Sequence, residues 1–321
     1  MTRSYSNSNF KCWTCILAAL IGTFSVALMC QSLQAQQNLP GLLAHSNRLL
    51  TANDDVDLIT DVVDDRAIKQ LISQQAEFLL SDPDVSLLKG FEEQIKRQET
   101  KLKLPKLKSA PLESHEVFPA VAPSVLVLSK VYKCGRCTRW HDRSAGAFAI
   151  TADGAIVTNH HVVDGVQADE RALVATAANG KVYVVKEILA ADKLNDIAVL
   201  QLEMPNGEKL RPAKIAPRAI PGEDVYAISH PVGRFFTLTK GVVSRNAMMH
   251  SQQGSSKRLY ITAEFAKGSS GSPIFNSRGE VVGIVSSTQS IYYTETADEQ
   301  KNLQMVFRNC VPASSVHMLL K

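Results

Sequence analysis

At 321 residues the chain is longer than one typical domain and has room for two. Its 45% apolar and 21% charged residues supply a sizeable core, which excludes a disordered or fibrous chain. The net charge of +4 falls to +2 once Arg3 and Lys11, the only charges in residues 1–35, are set aside, too mild a balance for a nucleic-acid-binding class.

Residues 1–35 read as an export signal. Arg3 and Lys11 form a positive start, Cys12 to Leu28 is apolar, and small residues offer cleavage after Ala35 or Ala27. The rival reading is an uncleaved anchor, since the apolar run is near the lower length for a span. Cys30 fits a lipoprotein signal poorly, because Ala27, Leu28 and Met29 precede it. Either reading puts the body of the protein outside the cytoplasm: periplasmic, secreted or in the cell envelope, and membrane-anchored if the signal is kept. Cleavage after Ala35 leaves Cys134, Cys137 and Cys310, an odd count in a compartment that permits disulfides.

Residues 36 to about 50 are polar and loose in composition, and an acidic stretch runs from Asp54 to Asp65. A helix follows, capped by Asp64 or Asp65, with Ile68, Leu71, Ile72, Ala76, Leu79 and Leu80 on one stripe. Ser81-Asp82-Pro83 stops it and can start a second helix with Leu88, Phe91 and Ile95 inward. This helical segment reads as a spacer, a pro-segment or an oligomerisation arm. Arg97, Lys101, Lys103, Lys106 and Lys108 around Pro105 read as a solvated linker or a patch for polyanions. A domain boundary is placed near residue 110, giving divisions of 1–35, 36–113 and 114–321.

After Pro123 the texture changes to short Val-, Ile-, Leu- and Thr-rich runs punctuated by Gly, Asp, Asn and Pro. Strands are expected at 124–131, 146–151, 156–158, 173–176, 182–188, 197–202, 224–229, 236–245, 259–262 and 281–286. Asp153-Gly154 is a hairpin turn, and a short helix after Pro312 closes the chain. The class is all-β, barrel or sandwich, behind a small helical segment.

The chemistry centres on Lys267-Gly268-Ser269-Ser270-Gly271-Ser272-Pro273, where glycines let backbone N–H groups crowd a reacting atom near an exposed hydroxyl. A serine nucleophile needs a base. His160 and His161 follow an apolar run, and Asp196 opens the apolar run 197–200, where an unbonded carboxylate would be costly. Asp192 is a second candidate for the acid.

The order His, Asp, Ser is that of the chymotrypsin arrangement. From about Ser124 onward the chain resembles the trypsin-like serine proteases, closest to the bacterial Deg/HtrA-type branch. Thr158-Asn159-His160-His161-Val162-Val163 is similar to Thr-Asn-x-His-Val-Val. Asp196-Ile197-Ala198-Val199-Leu200 resembles Asp-Ile/Leu-Ala-Val-Leu. Gly268-Ser269-Ser270-Gly271-Ser272-Pro273 resembles Gly-Asn-Ser-Gly-Gly-Pro, with Ser269 and Ser272 as departures. The resemblance implies a pair of six-stranded β-barrels with the site between them. It also implies His161 as base, Asp196 as its orienter, Ser270 as nucleophile, and the Gly268 and Ser270 N–H groups as oxyanion hole. The segment after Pro273 is too short for an appended PDZ domain beyond the barrel itself.

By the same resemblance, Glu264 lines the base of the primary pocket, where a buried carboxylate favours Lys or Arg in the substrate, while Ser286 and Thr288 form its wall. Cys134, Cys137 and His141 read as a local disulfide, a zinc site lacking its fourth ligand, or free thiols, with Cys310 as a possible fourth ligand. No cofactor is expected. The expected function is an exported serine endopeptidase acting on proteins or peptides; the alternatives are an inactive protease fold used as a scaffold, and a zymogen held by residues 36–113. Neither a nucleic-acid partner nor, after cleavage, a membrane span is expected, and the oligomer is not readable.

Overall fold

A computed structural model describes residues 57–59, 62–81, 86–296 and 299–321. The export signal at 1–35, the polar stretch to residue 50, part of the acidic stretch and the Asp82-Pro83 helix junction lie outside the described residues. Among the described residues no helix is long and apolar enough to cross a membrane.

Helix α1 (Asp65–Leu79) begins where the Asp64 carboxylate accepts the Arg66 and Ala67 N–H groups, each at 3.0 Å. Such a cap is worth about 1 kcal/mol. Ile68, Ile72 and Ala76, spaced by four, form the buried stripe the sequence foretold. Among the described residues the second helix is one turn, α2 (Phe91–Gln94), in place of the expected longer one. Phe91 is nevertheless fully buried.

The basic stretch is a strap as well as a linker. Lys101, Lys103, Lys106 and Lys108 face solvent, while Leu102, Leu104 and Leu112 pack on the core. At one end Arg97 reaches Glu187 at 2.9 Å, and its carbonyl accepts the Ala191 N–H at 2.7 Å. At the other end the Leu112 N–H donates to Ser277 at 2.8 Å. Alternating Lys and Leu in an extended chain put the charges out and the leucines in. Helix α3 (Ser114–Val121) follows, closed by a reciprocal Glu113–Glu116 capping box.

The first barrel closes six antiparallel strands in the order β1-β2-β3-β6-β5-β4: β1 (Val125–Lys133), β2 (Trp140–Ala149), β3 (Ala155–Thr158), β4 (Glu170–Ala177), β5 (Val182–Asp192) and β6 (Ile197–Leu202). Strands β3 and β6 and the first half of β1 read as apolar runs because both their faces are covered. Leu126 and Leu128 join one cluster with Ile156 and Leu200; Val125, Val127 and Val131 join another with Ile68, Ile72 and Ala76 of α1.

The second unit contains β7 (Lys214–Ile215), β8 (Asp224–Ser229), β9 (Thr237–Ser251), β10 (Gly254–Ile261), β11 (Pro273–Asn276), β12 (Glu280–Glu295) and β13 (Gln300–Pro312). The order β11-β8-β9-β10-β13-β12, with β11 also paired to β12, closes a second six-stranded ring, and β7 adds in parallel at the edge of β12. The result is the expected chymotrypsin-like double barrel. The helix expected after Pro312 is a 3₁₀ segment, Ala313–Leu319, with Val316 and Leu319 buried.

Candidate active site

Thr158, the last residue of β3, pairs with Ala198 near the start of β6. The chain therefore leaves β3 and enters β6 at the same rim of the first barrel. That brings together His161, in the single turn α4 (His160–Val163), and Asp196, 35 residues later. Asn159, at the head of α4, ties the two segments by donating its side-chain amide to the Asp196 carbonyl at 2.9 Å.

Asp196 sits at φ +59°, a left-handed conformation uncommon for a non-glycine residue. Its Oδ1 accepts His161 Nδ1–H at 2.9 Å and the His161 backbone N–H at 3.1 Å, and its Oδ2 accepts the Ser286 hydroxyl at 2.7 Å. Burial alone would raise this carboxyl, but the His161 ring, the Ser286 hydroxyl and the backbone N–H together hold it below the usual range. An ionised acceptor fixes the proton on Nδ1 and leaves the Nε2 lone pair available as a base. The His161 side chain is about half exposed, at 49%.

The competing residues have other places. His160 is buried, with its Nδ1 3.7 Å from Asp164, and burial lowers its pKa. Asp192 accepts the Asn195 backbone and side-chain N–H groups at 3.0 and 2.6 Å, shaping the turn that delivers Asp196. Ser269 and Ser272 are fully buried, whereas Ser270 is partly open.

The serine turn lies against the first barrel. Gly268 and Gly271 adopt φ of +94° and +83°. A Cβ on Gly271 would come within 2.2 Å of the Gly146 carbonyl, and a Cβ on Gly146 within 2.0 Å of the Ser272 hydroxyl. Only paired glycines allow this approach, and the Gly146 N–H donates to the Ser270 carbonyl at 2.7 Å. The Ser269 and Ser272 N–H groups are bonded within the turn, to Ala266 and Ser269, and that of Gly271 donates to Val285 of β12; among the described residues those of Gly268 and Ser270 have no protein acceptor. The Ser270 hydroxyl lies 3.4 Å from the Ser286 carbonyl and makes no hydrogen bond to His161.

The pocket residues differ most from expectation. Glu264 is not a buried anion: its side chain is 77% exposed and bonded to Arg308 at 2.6 Å. Ala263 and Phe265 take the buried side of that segment, so the residue between them turns outward. Thr288 is exposed opposite Arg308 on β13. Ser286 serves the Asp196 carboxylate. Cys134, Cys137 and His141 converge at the tip of the β1–β2 hairpin, with both thiols free. Cys310 lies apart, buried on β13 in the core of the second barrel, where burial raises its thiol pKa.

Three contributors escaped the sequence reading: Ser286 as a support for Asp196, Gly146 as the seat of the serine turn, and Arg258. Arg258 is buried on β10 and donates to the Leu194 carbonyl at 3.1 Å, two residues before Asp196. The isolated Ser and Gly carry no signal of their own in the sequence. A charged residue inside an otherwise strand-like run was the available hint for Arg258.

The double barrel and the segment within it define the class. Residues 145–284 match the family model described as a trypsin-like peptidase domain, and this region resembles the Deg/HtrA serine proteases. Serine protease Do-like HtrB of Bacillus subtilis is 33% identical over 136 residues, covering 40% of this chain and 29% of its own length. Serine protease HTRA1A of Danio rerio is 33% identical over 177 residues, covering 53% of this chain and 35% of its own. Protease Do-like 1, chloroplastic, of Arabidopsis thaliana is 34% identical over 147 residues, covering 44% and 32%. The chain spans about a third of the length of the curated relatives it matches.

Proposed function

We propose that the protein is a serine endopeptidase. The carrying observation is the His161–Asp196–Ser286 network, set at the rim of one barrel and facing the serine turn of the other. In this reading Ser270 attacks the peptide carbonyl and His161 Nε2 takes its proton, later passing it to the leaving amine. Asp196 holds the tautomer and stabilises the imidazolium. The free N–H groups of Gly268 and Ser270 bind the oxyanion, a contribution worth roughly 3–4 kcal/mol per donor. An acyl-enzyme forms on Ser270 and water resolves it. The Ser270 hydroxyl must leave the Ser286 carbonyl to meet His161, and such bonds are often loose before substrate arrives.

Several relatives carry names that place a DegP-like endoprotease in the periplasm. Together with the sequence of residues 1–35 this supports export, with residues 114–321 as the peptidase domain and the segment before it as its strap. An exposed Glu264 already paired with Arg308 does not select Lys or Arg, so cleavage should show no basic preference. A catalytically silent scaffold is the second reading, favoured by the orientation of the Ser270 hydroxyl.

A peptide-library digest compares wild type with Ser270→Ala. Cleavage by wild type alone, without enrichment of Lys or Arg before the scissile bond, is expected. Equal digestion by both proteins would remove Ser270 from the mechanism, and a strong basic preference would restore Glu264 to the pocket.

A further inference from the structure

The β1–β2 hairpin carries a cluster that the peptidase reading leaves unused. Strand pairing sets Tyr132 opposite His141 and Lys133 opposite Trp140, so residues 134–139 close the hairpin. Residues two apart in a strand share a face, so Cys134 falls on the face of Tyr132, diagonal to His141 and within side-chain reach. The loop folds Cys137 back onto the same point. Cys134 Sγ lies 3.4 Å from Cys137 Sγ, and the two sulfurs lie 3.1 and 3.0 Å from His141 Nε2.

Hydrogen bonding does not account for this arrangement. A neutral imidazole nitrogen offers one lone pair and can accept one thiol proton well, yet two sulfurs crowd it. A central ion satisfies all three at once, because each ligand then points its lone pair at the same centre. We propose that Cys134, Cys137 and His141 form a zinc site, with a fourth, solvent-facing position filled by water. Cys137 is exposed and Cys134 half-buried, so both entry and a water ligand are open. Among the described residues no further Cys, His, Asp or Glu joins the group, and Cys310 is excluded by its place in the other barrel.

Zinc bonds of about 2.3 Å to sulfur and about 2.0 Å to nitrogen put tetrahedral neighbours about 3.5–3.8 Å apart. The cluster therefore opens by about half an ångström on loading, a small change for a hairpin tip. Binding releases the two thiol protons to solvent and leaves a neutral zinc–dithiolate core. Trp140 and Arg143 steady the base of the loop: Lys133 sits 4.7 Å over the Trp140 ring, and Arg143 lies 3.9 Å over Tyr132 while bonding Asp169 and Glu170. The ion would clamp a hairpin whose second strand continues to Gly146.

The test uses the reduced full chain titrated with Co²⁺ as a spectroscopic stand-in, followed by displacement with Zn²⁺. The expected result is one cobalt per chain, with thiolate charge-transfer and tetrahedral ligand-field bands that zinc abolishes. Cys134→Ser and His141→Gln should each remove these bands while far-UV circular dichroism and metal-free thermal unfolding remain those of wild type. Absence of the bands in reduced wild type would overturn the proposal, as would bands that survive either substitution. A Cys134–Cys137 disulfide found by peptide mapping after air exposure in excess zinc would also overturn it.

Discussion

The two barrels share a strand count but divide the work unequally. The first is short-stranded, with a core on each face, and it holds the proposed base and its orienter, His161 and Asp196, in one bonded network at a single rim. The second extends β9, β10, β12 and β13 into solvent and carries Ser270 on a glycine turn that takes its position from contact with the first. A paired acid and base can be fixed within one barrel by antiparallel register. A nucleophile that must meet them from outside depends on the seam. Among the described residues the links across it include Gly146 to Ser270, Ser286 to Asp196, Arg258 to Leu194, and His230 to Leu126.

Substitutions that break the network inside the first barrel should have the largest effect. Asp196→Asn keeps the shape but removes the charge that sets the His161 tautomer, and kcat should fall about 10⁴-fold with little change in KM. Steady-state kinetics on a cleaved peptide decide this, and a loss under tenfold would mean that His161 does not rely on Asp196.

The seam comes next. His230 is completely buried; its Nδ1 accepts the Phe236 N–H at 3.1 Å, so its Nε2–H must donate to the Leu126 carbonyl, also at 3.1 Å. Protonation would destroy the first bond, and burial pushes the pKa down to about 4. Because the folded value lies below the unfolded value of about 6.5, the group's stabilising contribution is complete above that pH and is lost as pH falls towards 4. It is worth roughly 3 kcal/mol. Urea unfolding between pH 7 and pH 4 should show this decline in wild type, and His230→Gln should lack that part of it. Equal pH slopes in both proteins would mean that His230 does not drive the acid sensitivity.

A gentler break is Gly146→Ala. The added methyl meets Ser272 and should cost about 1–3 kcal/mol in unfolding free energy while lowering activity, since Ser270 is displaced with the turn. Unchanged stability and kinetics would show that the barrels can separate at this point without consequence. At the small end, Glu264→Gln removes an exposed ion pair with Arg308 and should shift stability by no more than about 1 kcal/mol. It should leave the cleavage profile unaltered; a profile that loses a basic preference would place Glu264 in the pocket after all.

The same contrast governs what could be read in advance. Strands β6 and β8 have the bounds the sequence indicated, because each is a short, mostly apolar run buried on both faces. Strand β13 and the outer half of β12 went unseen: Gln289–Glu295 places Ile291, Tyr292 and Tyr293 in a row without alternation, and Gln300–Gln304 is exposed throughout. Ordered motifs proposed His161, Asp196 and Ser270, and the register of β3 with β6 explains why the first two meet. Glu264 misled because its place in sequence says nothing of the side to which it turns, and the buried Ala263 and Phe265 settle that. Ser286 was seen as pocket wall, since only the folded seam brings its hydroxyl to Asp196. Cys134, Cys137 and His141 were recognisable as donors, but their convergence required the hairpin register.

The most direct measurement is labelling with a fluorophosphonate, which reacts with a serine only when base and oxyanion donors are assembled around it. Intact-mass analysis and peptide mapping should find one adduct on wild type, located on Ser270, with none on Ser270→Ala and strongly slowed labelling of Asp196→Asn. A folded wild-type protein that takes up no probe, or a Ser270→Ala variant labelled as fast as wild type, would contradict the assignment of this chain as a serine peptidase acting through Ser270.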